Sequence, residues 1–210
     1  IRDSAYIRYY VLAKSKNDDE EVANVNGLFM KVFLVIATLC LCAGVFLYFN
    51  IRILGTQLTS SDYVIAKKLL IIMVINLAIS FPNSLYVAFM SANERFVYQK
   101  VVGIIVNIAI PILNIPLLYL GFGSVGVVSA SLFLTIVRLV LNVWYCYSKL
   151  EMKINLHFFD KHIFRELLGY TFFIFLSDIV DQLNSNVDKF LLGRLTGTIA
   201  VAIYLSLIHI

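Results

Sequence analysis

Three aspartates, Asp178, Asp181 and Asp188, lie within one apolar stretch of the chain. With Ser185 they are spaced three, four and three residues apart, which places them on one face of a helix with about 3.6 residues per turn. A charged side chain inside hydrocarbon costs about 3 kcal/mol, so it normally faces water or a polar partner. The stripe therefore predicts a helix that faces a polar cavity or another polar helix. In a cavity, a carboxylate could bind H⁺ or Na⁺.

The three carboxylates differ in predicted depth. Counted from Glu166 at about 1.5 Å per residue, Asp178 lies about 18 Å and Asp181 about 22 Å into the membrane. Asp188 would reach the far interface, where an ion pair with the adjacent Lys189 and a transport role are both open. We expect Asp178 and Asp181 to lie on a substrate pathway or to couple an ion, with Asp188 as a further candidate.

An arginine supplies the opposite charge in an earlier apolar block. Arg138 shares one helical stripe with three uncharged polar residues, Ser131, Thr135 and Asn142. It lies about 15 Å from the end of its predicted helix and stays charged there, so it needs an anion. Two anions are open: the carboxylate of Asp178 or Asp181, and a substrate group such as a phosphate, which the planar guanidinium can bind with two hydrogen bonds.

The elements that carry these residues are transmembrane helices. The 210-residue chain is 60% hydrophobic and only 14% charged, and its mean hydropathy is +0.87. These values leave too few charges to cover a water-soluble surface. The apolar residues form blocks of about 20, the length of a helix that crosses about 30 Å of hydrocarbon. The sequence predicts an all-α polytopic membrane protein.

Five full spans and two partial ones follow from these blocks. The full spans are expected at residues 27–49, 66–90, 101–120, 124–147 and 167–191. Residues up to about 13 are expected to end an earlier helix, and residues from about 198 to begin a later one. Asparagines in the second and third spans, among them Asn83 and Asn114, are expected to form interhelical hydrogen bonds more often than ligand contacts.

The basic residues of the connecting segments predict the orientation. One set of segments carries eight of them: Lys14, Lys16, Arg95, Lys100, Lys149, Lys153, Lys161 and Arg165. The alternate set carries two, Arg52 and Arg194. Because Lys and Arg in short loops stay on the cytoplasmic side, we expect the first set to be cytoplasmic. The net charge of +4 therefore reflects topology and does not indicate a nucleic-acid partner.

The longest connection, residues 148–166, is also the most basic. Within it, Phe158, Ile163 and Phe164 fall near one face of a helix and the charged residues fall elsewhere. This spacing suits a helix that lies in the membrane interface, although an ordinary polar linker is also open. No motif of a soluble enzyme is present, and His157 and His162 are poorly spaced for a metal, so we expect no catalysis, no metal and no cofactor.

Five short motifs resemble those of one family. They are SAYIRY at 4–9, SANERF at 91–96, GFGSVGVV at 121–128, VDKFLLG at 187–193 and VAIY at 201–204. Together they resemble bacterial polysaccharide biosynthesis transporters of the lipid-linked oligosaccharide flippase type. Multidrug extrusion proteins and lipid II flippases belong to the same superfamily.

The resemblance implies a fragment of a two-lobed transporter of about 12 to 14 helices around a central cationic cavity. On that map the chain holds part of the first lobe at 1–150, a cytoplasmic connector at 151–166 and the start of the second lobe at 167–204. Residues 205–210, LSLIHI, match a translated sequencing adapter and are expected not to be native. Such transporters use charged residues in helices comparable to those of Arg8, Asp178 and Asp181.

The function implied is transfer of an undecaprenyl-diphosphate-linked oligosaccharide to the outer leaflet of the bacterial inner membrane, for capsule, O-antigen or exopolysaccharide assembly. The expected partners are this lipid-linked oligosaccharide, membrane lipids, and H⁺ or Na⁺. Two alternatives stay open. A multidrug cation antiporter of the same fold would use the acidic residues but not Arg138, and a membrane-embedded polymerase would carry a large outer loop.

Overall fold

The computed structural model describes residues 2–16, 18–51 and 60–158, together with Phe164, Arg165 and Val180. The chain divides into two compact units. One consists of Asp3–Asp160, and the other holds Lys161–Ile210 with Ile1–Arg2. Nearly all of the described residues belong to the first unit.

Five α-helices and no strand are present among the described residues. They are α1 (Arg2–Ser15), α2 (Asp19–Phe49), α3 (Ser60–Ala92), α4 (Phe96–Tyr119) and α5 (Gly123–Lys149). The last four are long and apolar enough to cross a membrane, so the chain is a multi-pass membrane protein. The all-α prediction and four of the five full spans are confirmed. The fifth predicted span, 167–191, and the helix expected from 198 lie outside the described residues.

The helix α2 begins eight residues before the predicted start at Gly27, at Asp19. The side chain of Asp18 accepts hydrogen bonds from the backbone N–H groups of Glu20, at 2.9 Å, and Glu21, at 3.2 Å. These bonds satisfy donors that a helix start leaves unpaired, and the acidic first turn complements the helix dipole. A hydropathy pattern detects the apolar part of α2 but not this polar extension.

The first unit has one end that is richer in basic residues, called here the basic end. It carries the α1–α2 and α3–α4 turns and the last turn of α5, and Tyr10 of α1 contacts Asn93 there. The α4–α5 turn and the first turns of α3 lie at the opposite end. Lys67 and Lys68 also lie near the opposite end. The sequence interpretation placed them inside the span predicted at 66–90 and did not include them among the basic residues of the connecting segments. The charge asymmetry is therefore smaller than predicted, although its direction is unchanged.

Two turns use the left-handed backbone conformation to reverse the chain within a few residues. Glu94, with φ of 58°, ends α3, and the N–H of Arg95 donates to the Met90 carbonyl at 2.9 Å. Gly121, with φ of 83°, ends α4 in a similar way. A residue in this conformation at a helix end lets the next N–H groups pair with the last carbonyls of the helix. These short turns make α4 antiparallel to both α3 and α5, so α3 and α5 run in the same direction.

The buried core of the first unit lies along α3. This helix packs against α2 on one side and α5 on the other, and α4 packs against α5. Leu85 and Met90 of α3 are fully buried, as is Tyr6 of α1. Large apolar side chains of α2 and α4, such as Phe46 and Ile115, are exposed instead. Exposed apolar side chains of this kind are what a lipid-facing surface requires.

Candidate functional site

The buried face of α5 carries Arg138 at its centre. Buried residues recur on this helix at intervals of four: Gly126, Ala130, Leu134, Asn142 and Cys146. Arg138 occupies the missing place in this series, and its Nε atom is buried. At about 1.5 Å per residue it lies about 22 Å from Gly123 and about 16 Å from Lys149. Arg138 thus lies near the middle of α5, on the face that packs against the protein, while its depth in the membrane stays a prediction.

Two hydroxyl groups predicted to share the stripe of Arg138 bond within their own helix. Ser131 donates to the Val127 carbonyl at 3.1 Å, and Thr135 donates to the Ser131 carbonyl at 3.0 Å. Such bonds to the carbonyl four residues earlier use the only proton of each hydroxyl. The polar stripe of α5 is therefore less open to a ligand than its composition suggests.

The fourth member of the stripe, Asn142, connects α5 to α3. Its side-chain NH₂ donates to the side-chain oxygen of Asn83 at 2.8 Å. Asn142 is 2% exposed and Asn83 is 9% exposed, so the bond is shielded from solvent. The expected interhelical hydrogen bond is confirmed for Asn83, and it fixes the packing of the two helices one turn from Arg138.

Arg138 itself has a donor without a partner. Its buried Nε forms no hydrogen bond with any described residue. The ion pairs within the described ranges are Lys16–Glu21 at 2.7 Å and Lys153–Asp19 at 3.3 Å, both at the basic end. The side-chain oxygen of Asn114 on α4 is likewise buried and unpaired there. Since buried polar atoms normally have partners, both atoms require water, another part of the protein or a ligand.

The other predicted site residues are not brought into contact with Arg138 by the described part of the chain. Arg8 is exposed on α1 and has no hydrogen bond or ion pair with a described residue. Asp178, Asp181 and Asp188 lie outside the described residues. A contact of Arg138 with Asp178 or Asp181 therefore stays a prediction.

The sequence interpretation missed a polar junction at the basic end. The Tyr6 hydroxyl of α1 donates to the Asn26 side-chain oxygen of α2, and both residues are 0% exposed. The Asn26 NH₂ in turn donates to the Lys153 carbonyl at 2.8 Å. One asparagine thus connects α1, α2 and the segment after α5. The only signal in the sequence is an asparagine at the start of an apolar block.

That segment, residues 151–158, is called here the strap, and it lies along the first half of α2. The Asn155 N–H donates to the Ala23 carbonyl at 3.0 Å, and the Asn155 side chain donates to the Asn24 side chain at 2.8 Å. The Lys31 ammonium donates to the Phe158 carbonyl at 3.0 Å. Gly27 faces the Asn155 carbonyl so closely that no Cβ fits between them. With the bonds from Asn26 and from the Lys153 ammonium to the Asp19 carboxylate, the latter 3.3 Å long, five bonds among the described residues hold the strap on α2.

The strap also corrects the predicted shape of the connector. An amphipathic helix was expected to include Phe158, but residues 151–158 are not helical. Met152 is 3% exposed, and the backbone of the strap pairs with α2, so packing overrides the helical pattern. Phe164 and Arg165 are helical, while the remaining residues of the predicted interfacial helix lie outside the described ranges.

Two of the short motifs that resemble the transporter family, those at 4–9 and 91–96, contain residues that hold the helices together at the basic end. Asn93, in the motif at 91–96, accepts hydrogen bonds from the Tyr10 hydroxyl at 2.8 Å and from the Lys14 ammonium at 3.1 Å. Tyr6, in the motif at 4–9, forms the bond to Asn26. The bonds to Asn93 join α1 to the end of α3, and the bond to Asn26 joins α1 to α2. These motif residues therefore act in the packing of the first unit.

Comparison with known proteins identifies the family. The family model described as polysaccharide biosynthesis protein matches residues 3–207. No curated protein and no solved structure is significantly similar to the chain. The match covers nearly all of the sequence, including the motifs at both ends and the region of Arg138. The chain therefore belongs to the polysaccharide biosynthesis protein family.

Proposed function

We propose that this chain is part of a transporter that flips an undecaprenyl-diphosphate-linked oligosaccharide across the bacterial inner membrane, from the cytoplasmic to the outer leaflet. Membership of a polysaccharide biosynthesis family supports the pathway, and four membrane-spanning helices support a transport role. Sugar hydroxyls and a diphosphate cannot enter hydrocarbon without loss of hydration. A polar cavity that opens to the side would let the headgroup cross while the lipid tail stays in the bilayer.

The observation that carries the proposal is the unpaired, buried Nε of Arg138. The nearby hydroxyls of Ser131 and Thr135 bond to their own helix, and Asn142 bonds to Asn83. Among the described residues, Arg138 is therefore the member of this stripe that has a buried donor without a partner. A guanidinium binds phosphate oxygens through two parallel hydrogen bonds and lowers the cost of bringing the dianion out of water.

The predicted carboxylates complete the mechanism that we propose. Asp178 and Asp181 would bind H⁺ or Na⁺, and a cation bound there in one access state would bias the transporter toward that state. Asp188 and Arg8 are further candidates along the path. Asp178→Asn or Asp181→Asn should leave the protein inserted and abundant but reduce export, and the double variant should export little polysaccharide. Wild-type export by this variant would remove the coupling role.

The test uses a deletion strain complemented with the full-length gene. Arg138→Ala should abolish export of surface polysaccharide, and Arg138→Lys should restore only part of it because an ammonium lacks the bidentate geometry. The matched control is Thr135→Val, which keeps the volume of its side chain and removes a hydroxyl that only bonds to its own helix. This control should export normally. Membrane abundance of each variant separates loss of transport from loss of folding.

Two results would contradict the proposal. Normal export by an abundant Arg138→Ala variant would show that the guanidinium does not handle the headgroup. Loss of resistance to cationic dyes with normal polysaccharide would instead support the multidrug antiporter. If Arg138 serves only as the ion-pair partner of Asp178 or Asp181, neutralising both charges together should restore activity better than neutralising one, because a single buried charge is the costly state.

A further inference from the structure

An apolar groove lies between α2 and α3 at the opposite end of the first unit. Its walls are formed by Leu41, Val45 and Phe49 of α2 and by Ile71, Val74 and Ile75 of α3. The volume is about 340 Å³, within the range of about 300 to 1,000 Å³ that is usual for small-molecule sites. The lining is almost wholly apolar, so the groove suits a hydrocarbon chain and not a sugar headgroup.

The groove is narrow at its floor, where a glycine lets α2 and α3 approach each other, and open at its rim. A Cβ on Gly44 would lie 3.0 Å from the Val74 Cβ and closer to its methyl groups, so the two helices approach as closely as a glycine allows. The rim residues remain accessible: Val45 is 57% exposed and Phe49 is 78% exposed. A flexible chain could therefore enter from the side, as a lipid tail in the bilayer would.

A cation lies at one end of the groove. The Lys67 ammonium is 4.8 Å from the centre of the Tyr48 ring, and Tyr48 also lines the groove. At about 1.5 Å per residue, the distance from Leu41 to Tyr48 along α2 is about 10 Å. The cation–π contact holds the ammonium beside Tyr48, at one end of the apolar groove. The arrangement is complementary to a molecule with an anionic head and an apolar tail.

We propose that this groove binds one acyl chain of an anionic phospholipid, with the lipid phosphate at Lys67. The helix directions place the site in the leaflet at the opposite end, which the predicted topology makes the outer one. Charge complementarity at Lys67 selects an anionic lipid over a zwitterionic one, and the apolar groove supplies affinity for either. The site does not include Arg138 and does not depend on the proposed transport function.

The test is native mass spectrometry of the purified full-length protein with phosphatidylglycerol or with phosphatidylcholine of the same acyl chains. Lys67→Gln should weaken retention of phosphatidylglycerol by about fivefold, the factor expected for one lysine near an anionic lipid, and leave phosphatidylcholine unchanged. The matched control is Lys68→Gln, which makes the same charge change on an exposed neighbour. This control should retain the preference.

A second pair of variants tests the groove itself. Val45→Trp should fill it and reduce binding of both lipids, whereas Leu39→Trp changes an equally exposed lipid-facing residue that is not part of the lining and should have little effect. Equal effects of Lys67→Gln and Lys68→Gln would overturn the assignment of the phosphate. The groove would be overturned as a lipid site if the wild type retained no lipid. The same conclusion would follow if Val45→Trp bound both lipids as well as the wild type does.

Discussion

Gly27 is the position where we expect one added methyl group to destabilise the basic end most. A Cβ there would lie 2.5 Å from the Asn155 carbonyl carbon and closer still to its oxygen. Ordinary contact between carbon atoms is about 3.5 Å, so the strap must move by about 1 Å or more. The Asn155 N–H bond to Ala23, now 3.0 Å long, would then exceed the usual hydrogen-bond limit of about 3.2 Å.

The energetic effect follows from the bonds that hold the strap. Its displacement would also lengthen the bonds from Asn26 to the Lys153 carbonyl and from Asn155 to Asn24, both 2.8 Å. At about 0.5 to 1.5 kcal/mol each, the loss of two or three bonds lowers the free energy of unfolding by about 1 to 4 kcal/mol in Gly27→Ala. The amide hydrogens of the strap should exchange faster, because the N–H of Asn155 loses its acceptor.

Hydrogen exchange and thermal unfolding of the purified full-length protein would measure both effects. The matched control is Gly103→Ala: Gly103 lies inside α4 and has no atom within 4 Å of an added Cβ. Alanine there should stabilise the helix by up to about 1 kcal/mol. The reasoning is refuted if Gly27→Ala and Gly103→Ala have the same stability and the exchange of residues 151–158 is unchanged.

Three further predictions concern topology, packing and backbone strain. In a protein without other cysteines, Ser124→Cys should react with an impermeant maleimide from outside and Ser148→Cys should not, since both serines are exposed at opposite ends of α5; the reverse labelling would invert the orientation. Asn142→Leu should lower the free energy of unfolding by about 1 to 3 kcal/mol, because it leaves Asn83 unpaired. Adding Asn83→Leu should recover part of this loss in a double-mutant cycle. Additive losses of the two variants would argue against the bond. Glu151→Gly should raise the free energy of unfolding by about 1 kcal/mol, because Glu151 has φ of 49°; a destabilised variant would contradict the strain.

The sequence was sufficient to predict the membrane helices because an apolar block of about 20 residues has few other stable forms. It was not sufficient for their polar ends: the start of α2 depends on a cap at Asp18, which hydropathy does not detect. The helical spacing of α5 predicted which residues share a face with Arg138. It could not show that Ser131 and Thr135 bond to their own helix, because the hydroxyl rotamer is set by local packing.

The strap was beyond reach of the sequence for a different reason. Its bonds connect residues more than 120 positions apart, as between Asn26 and Lys153. They also involve backbone carbonyl groups, which leave no trace in residue type. The pattern of Phe158 and its neighbours favoured a helix, and only the docking surface on α2 decides against it at 151–158.

The strap also sets how far the chain can extend after α5. Seventeen residues separate Lys149 from the predicted span at 167–191, and fully extended they would reach about 60 Å at about 3.5 Å per residue. The strap holds eight of these seventeen residues, 151–158, against α2. The five bonds between the strap and α2 therefore hold about half of the tether to the next predicted span. A substitution that frees the strap, such as Gly27→Ala, would lengthen that tether without any change in the number of residues.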